Sequence, residues 1–241
     1  MNMAFKVNRL SCLTQQIIRF WGSPVVESSN LQFVRYQSIV AHKLIYSEYG
    51  EASKVVRKET QTLPAPKANE IVIQMLAAPV NPADINTIQG VYPIKPSLPS
   101  IPGNEGVGEV ISVGSDVTEF KEGDKVIPSR TAWGTWRTHA VCKADDMIKV
   151  PSNIGIVEAA TITVNPCTAY RMIRDFAELS KGDTVIQNGA NSACGQNVIQ
   201  MCKAWGLTSV NIVRDRENVN ELKDFLMDLG ATHVLTEEEL R

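Results

Sequence analysis

Apolar and polar positions follow one period up to about Val150 and a different one after Pro151. In the first stretch, from about Lys43, apolar residues come in short runs separated by turn residues. Glu70 to Leu76 is a β-branched-rich run of strand length, and Val107 to Val113 is another, built around its glycine. Glu48-Tyr49-Gly50 and Glu122-Gly123-Asp124 punctuate such runs. A short helix starts at Pro82, an acceptable first-turn residue, and ends near Gly90, a natural left-handed terminator. This half reads as an irregular β domain.

Beyond Pro151, Pro166 to Phe176 has helical spacing and Thr184-Val-Ile-Gln187 reads as a buried strand. Ala193 to Trp205 follows as a helix, Ser209 to Val213 as a strand, Val219 to Leu229 as a helix and His233-Val-Leu235 as a third strand. Strands alternating with helices of this length predict βαβ crossovers and a parallel sheet, the usual frame for a nucleotide. A doubly wound sheet of the dinucleotide type has six strands, and the sequence ends just after the third. Half of that sheet is therefore expected to be missing.

Composition narrows the function classes. With 24 Lys+Arg against 26 Asp+Glu the net charge is −2, too weak a field to hold a nucleic-acid backbone, so no nucleic-acid partner is expected. No uninterrupted apolar run approaches the roughly 18 to 20 residues of a membrane-spanning helix. Five cysteines, Cys12, Cys142, Cys167, Cys194 and Cys202, form no CxxC pair and predict reduced thiols. Residues 1–37 stand apart: Lys6, Arg9, Arg19 and Arg35 face the single acid Glu27. An Arg-bearing, acid-poor segment able to form an amphipathic helix around Leu10 to Trp21 reads as a mitochondrial transit peptide, cleaved just after Arg35-Tyr36. A plain N-terminal tail is the other reading.

The strand-to-helix turn Asn188-Gly189-Ala190-Asn191-Ser192-Ala193-Cys194-Gly195-Gln196 carries the first chemistry. Small residues let the backbone approach a pyrophosphate, and the first amides of the next helix, at Asn191, Ser192, Ala193 and Cys194, are the predicted contacts. Counted from Gly189, Asn191 stands at the second glycine of GxGxxG, so a simple tight turn is an equal reading. At the end of the next strand, where an acid would hold the ribose of NAD, stands Arg214-Asp215-Arg216. Arginine there accommodates a 2′-phosphate and favours NADPH; a solvated basic strand end is the alternative.

Taken together, Asn165-Pro-Cys-Thr-Ala-Tyr-Arg-Met172, the turn 188–196, Arg214-Asp215-Arg216, Ala78-Pro-Val-Asn-Pro-Ala-Asp-Ile-Asn86 and Gln89-Gly-Val-Tyr92 closely resemble the mitochondrial enoyl thioester reductases. These are zinc-free members of the medium-chain dehydrogenase/reductase superfamily. The resemblance, running from about Lys43 to the last residue, implies a GroES-like β domain over 38–160 and the first part of a Rossmann sheet over 161–241, with the substrate cleft between them. It further implies reduction of trans-2-enoyl thioesters, on acyl carrier protein or CoA, with NADPH in mitochondrial fatty acid synthesis in the matrix. A full-length form is expected to be a homodimer. The alternatives are a short non-catalytic form or interaction module, and a quinone reductase of the same superfamily.

The residues agree on the absence of zinc. His42, His139 and His233, the three histidines, are too scattered to converge on a metal. Zinc-dependent relatives carry His in place of Asn104 and a Cys ligand within the stretch matching Asn81 to Asp84. A protonated side chain must then stabilise the negative charge that hydride addition creates. Tyr92, a packed loop residue by itself, matches the family's proton-donating tyrosine and is the expected catalytic residue. Asn165 either caps the helix that Pro166 opens or, as the resemblance implies, contacts the cofactor. Glu105 reads as a buried partner for a backbone or arginine group ahead of a catalytic acid, and Trp133 and Trp136 either line or support the acyl cleft or fill the core.

Overall fold

The computed structural model describes residues 16–19 and 38–240, and these form two compact units that meet in sequence between Thr161 and Ile162. The first unit holds strands β1 (Gln16–Arg19), β2 (Ile39–Ile45), β3 (Arg57–Leu63), β4 (Glu70–Val80), β5 (Val107–Val113), β6 (Lys125–Pro128), β7 (His139–Lys143) and β8 (Met147–Lys149). Three short helices accompany them, α1 (Ala52–Val55), α2 (Pro82–Ile88) and α3 (Ile156–Thr161). The second unit holds α4 (Asn165–Arg174), β9 (Thr184–Gln187), α5 (Ala193–Trp205), β10 (Thr208–Val213), α6 (Val219–Leu229) and β11 (His233–Thr236).

In the first unit β4 is the spine. β5 lies antiparallel along one edge, followed outward by β6 and β8, while β7 and β1 share the other edge. Residues Ile71, Ile73, Met75, Val110, Val126, Trp133, Ala140 and Met147 close over one another as the main core. The β2–β3 hairpin stands as its own two-stranded sheet, tied in by Leu44 N–H to Trp136 O (2.9 Å) and Thr138 N–H to His42 O (2.8 Å). Tyr46, Ala78, Ile88 and Trp136 pack as a second cluster. Trp133 and Trp136, 6% and 5% exposed, are thus core residues.

Helix α2 ends as its sequence predicts. Gly90 turns at φ +76°, and a Cβ at that position would sit 2.8 Å from the Tyr49 ring, so only glycine closes the helix here.

The second unit is a parallel sheet in the order β11-β10-β9, with Gln187 opposite Asn211 and Asn211 opposite Val234. This is the strand order of one half of a doubly wound sheet. Ala190, Ile199, Val213, Leu222, Leu226 and Val234 pack as one core cluster, and α4 packs on α5 through Ala169, Ile173, Val198 and Cys202. Gly206 at φ +70° and Gly230 at φ +111° end α5 and α6 in left-handed conformations. Among the described residues no helix is long and apolar enough to cross a membrane.

Three expectations change. Residues 16–19 of the expected amphipathic helix form a strand, because β7 pairs only with Glu70–Gln74 and leaves Ala77–Val80 with a free ladder edge that β1 takes up. The rest of that helix, and the Arg35-Tyr36 cleavage point, lie outside the described residues. The run beginning at Glu70 continues to Val80 for the same reason. Asn165 is the first residue of α4 and Val164, already in the right-handed helical region, precedes it, so Asn165 does not cap from outside.

Candidate active site

The turn after β9 is built to leave backbone amides exposed at the end of a sheet. Gly189 adopts φ +57°. Ser192 then caps α5, its Oγ accepting from Gly195 N–H at 3.1 Å, and Gln196 Nε2 donates to Asn191 O at 3.0 Å. The N–H groups of Ala193 and Cys194 fall in the first turn, where a helix supplies no acceptor of its own and presents positive potential to an anion. A Cβ on Gly195 would meet Ala190 O at 2.6 Å. The glycine that lets the helix start close against the turn is therefore Gly195, one residue after Cys194, the place that counting from Gly189 indicates. Burial pushes the half-buried Cys194 thiol up from its ordinary range, which keeps it protonated and unreactive.

A second polar line fixes this turn. Gln187, the last residue of β9, donates from Nε2 to Gly195 O (3.0 Å) and to Asn211 Oδ1 (2.7 Å). Asn211, fully buried in β10, donates in turn to Ser209 Oγ (2.9 Å) and His233 O (3.0 Å). Sequence reading missed both residues, since an amide in a short strand gives no periodic signal.

Because β9 and β10 run parallel, Arg214-Asp215-Arg216 emerges beside the turn, at the same end of the sheet. Arg214 and Asp215 are exposed and Arg216 is half-buried. Arg216 Nε is buried with no hydrogen-bond acceptor, although a buried donor left unsatisfied costs about 1–3 kcal/mol. That leaves one guanidinium donor unmet beside the amides of this turn.

Tyr92 belongs to the first unit. Asn86 O of α2 accepts both Val91 N–H (3.0 Å) and Tyr92 N–H (3.2 Å), so the Tyr92 backbone hangs from the helix just past Gly90. The N-terminus of α2 is anchored in a buried knot of polar side chains. Asp84, 1% exposed, accepts from Asn81 N–H at Oδ2 (2.8 Å) and from Asn104 N–H (3.0 Å) and Nδ2 (2.6 Å) at Oδ1. Asn81 Nδ2 donates to Glu105 Oε1 at 2.8 Å, Asn104 Oδ1 accepts Ala132 N–H at 3.0 Å, and Thr135 Oγ1 donates to Glu105 O at 2.7 Å. Burial pushes the Asp84 carboxyl above its ordinary range, against the pull of these donors. Glu105 is thus buried and bonded within the fold, but its carboxylate takes the Asn81 side chain where a backbone or arginine group is expected from the sequence.

These positions are the ones at which zinc-dependent relatives are expected to place ligands, and here the groups are consumed by one another. Among the described residues no cluster of three His, Cys, Asp or Glu side chains is placed to hold a metal ion. The histidines are less scattered than expected: His42 on β2 and His139 on β7 are near enough that His42 adds to the burial that lowers the His139 pKa. His233 lies in the other unit.

The structure therefore gathers Asn191 to Cys194 and Arg214 to Arg216 at one sheet end in the second unit, where Asn165 opens the helix packed on α5. Tyr92 stands on the first unit.

Comparison with known proteins follows the same division. Residues 67–152 match the alcohol dehydrogenase GroES-like domain. The chain is 52% identical over 198 residues, 82% of its length, to the human mitochondrial enoyl-[acyl-carrier-protein] reductase. Over 206 residues, 86% of its length, it is 48% identical to the Xenopus tropicalis one. The chain spans 53% and 59% of the length of these relatives. The solved complex of Etr1p, a Candida tropicalis mitochondrial 2-enoyl thioester reductase, with NADP and crotonyl-CoA superposes with a TM-score of 0.80 at 40% identity. That match covers 83% of this chain and 61% of the other.

Proposed function

Because the chain belongs, over the residues it spans, to the mitochondrial enoyl thioester reductases of the zinc-free medium-chain superfamily, we propose that it serves the NADPH-dependent reduction of trans-2-enoyl thioesters. The substrate is an acyl group carried on acyl carrier protein or CoA. The unsatisfied Arg216 Nε at the mouth of the proposed dinucleotide turn carries this reading, because a solvated basic strand end would not leave a buried donor without an acceptor. NADPH, when bound, supplies the hydride that adds to the β-carbon.

The chain's own residues do the rest. Ala193 and Cys194 N–H receive the pyrophosphate at the start of α5, and Gln187 holds Gly195 so that these amides stay aimed outward. Arg214 and Arg216 take the 2′-phosphate, and Asn165 orients the cofactor. Tyr92 Oη donates a hydrogen bond to the developing enolate and delivers the proton that the α-carbon needs, so one hydride and one proton convert C=C to CH–CH. The Asp84 knot positions Tyr92 by fixing α2, without touching substrate. The family's mitochondrial naming supports work in that organelle; the matrix as the compartment, and residues 1–37 as the import segment, follow from the acid-poor, Arg-bearing composition of that segment. A longer form would act as a dimer.

Replacing Arg214 and Arg216 together by Ala tests the cofactor reading. The NADPH to NADH ratio of kcat/KM should collapse toward parity; an unchanged ratio would refute the phosphate role.

A further inference from the structure

The first unit also holds an arginine that the proposed reaction does not use. Arg137, between the β2–β3 hairpin and β7, stacks its guanidinium over the Trp133 ring, 3.8 Å from the centroid. Nη2 donates to Trp133 O at 3.2 Å. Nε is buried and has no acceptor, and among the described residues no carboxylate lies within ion-pairing distance. Burial pulls the guanidinium down to about 10, with Arg130 adding to the effect and Cys142 and Asp146 opposing it. A buried charge is ordinarily paired.

Arg137 lines an open cavity of about 320 Å³, with Gln61, Leu63, Pro64, Ala140 and Val141 among the other walls. The cavity's one acid, Glu70, is already engaged: its Oε2 accepts Lys67 N–H at 3.0 Å and Lys67 Nζ lies 4.0 Å from Oε1. The walls are thus mostly apolar, with two cations, Lys67 facing Glu70 and Arg137 without an ion pair. Such a lining suits one negative charge on an apolar body, and it disfavours a doubly charged phosphate, which would face Glu70 and compete with it for Lys67.

We propose that this cavity is a binding site for a small monocarboxylate with a short hydrocarbon tail, its carboxylate paired with Arg137 and its tail on Leu63, Pro64, Ala140 and Val141. The site lies wholly within the first unit and does not depend on the reductase reading. Sodium octanoate is the probe, with acetate and inorganic phosphate as charge-only controls and octanol as the tail-only control. Octanoate should raise the melting temperature saturably, with a Kd on the order of millimolar. It should also shift the Arg137 Nε–H resonance, assigned through its own side chain. Acetate should bind more weakly and octanol should leave that resonance in place. Arg137→Lys should weaken octanoate at least about tenfold, since hydrogen bonds to charged groups are worth about 1.5–3 kcal/mol, and Arg137→Met should abolish the effect. An unmoved Nε–H signal in the unmodified chain, equal binding of octanol, or tighter binding of phosphate would each overturn the proposal, whatever the variants' folding.

Discussion

Tyr92 and Asp84 divide the work at opposite ends of α2, Asp84 in its first turn and Tyr92 past its last, and single substitutions separate chemistry from positioning. Tyr92→Phe deletes one hydroxyl and little volume, so the melting temperature should hold while kcat falls by about 10² to 10⁴, the usual worth of general acid catalysis. A variant that kept more than about a third of the rate would return Tyr92 to the packed-loop reading. The sequence made Tyr92 legible only through its family match, since a tyrosine between Gly-Val and Pro carries no chemical signature alone. Asp84 was less legible still. In sequence it is an ordinary acid in a helix's first turn, and its role depends on Asn104, twenty residues away, donating both its backbone and side-chain N–H groups. Arg216 was readable by position, whereas the buried and unsatisfied state of its Nε is a property of the fold alone.

Elements with signals at both ends were read correctly, and those shaped by neighbours were not. Helix α5 carries Ser192 before it and Gly206 after it, and its span Ala193–Trp205 follows. Strand β4 outruns its apolar pattern because β1 gives its last residues a ladder partner, which no local pattern encodes. Ser192→Ala should destabilise by about 1 kcal/mol, the typical worth of an N-cap side chain, measured by urea denaturation. Gly195→Ala should cost more and weaken NADPH binding as well, because its methyl must displace Ala190 from the turn. The β6–β8 pair is held by a charge: Asp124, 8% exposed, accepts Lys149 Nζ at 2.6 Å and Lys121 N–H at 3.0 Å. Burial opposes ionisation there, but these partners outweigh it and the pKa falls below the ordinary value. A depressed carboxylate stabilises the fold above its unfolded pKa and loses that contribution as pH falls through the folded one. Acid unfolding below about pH 4 should therefore be shallower in Asp124→Asn than in the parent, in melting curves taken from pH 6 to 2.

For the molecule as a whole, the first 37 residues raise a conflict that experiment resolves. If they form an import segment, a reporter fused behind them should enter mitochondria and lose them; retention in the cytosol at full length would defeat the idea. Removal would also take β1 from the edge of β4, so the processed chain would leave Ala77–Val80 unpaired on that side. The two-unit organisation was legible from the change of hydrophobic period, because strands alternating with helices and strands separated by turns leave different imprints on a chain. The polar knot beneath α2 carries a consequence for how such a protein fares in a cell. Where a metal would have to be delivered, retained and defended against competitors, Asn81, Asp84, Asn104 and Glu105 close the same junction with groups encoded in the chain itself. That junction draws on no scarce nutrient, so zinc starvation or a strong chelator should leave the melting temperature untouched.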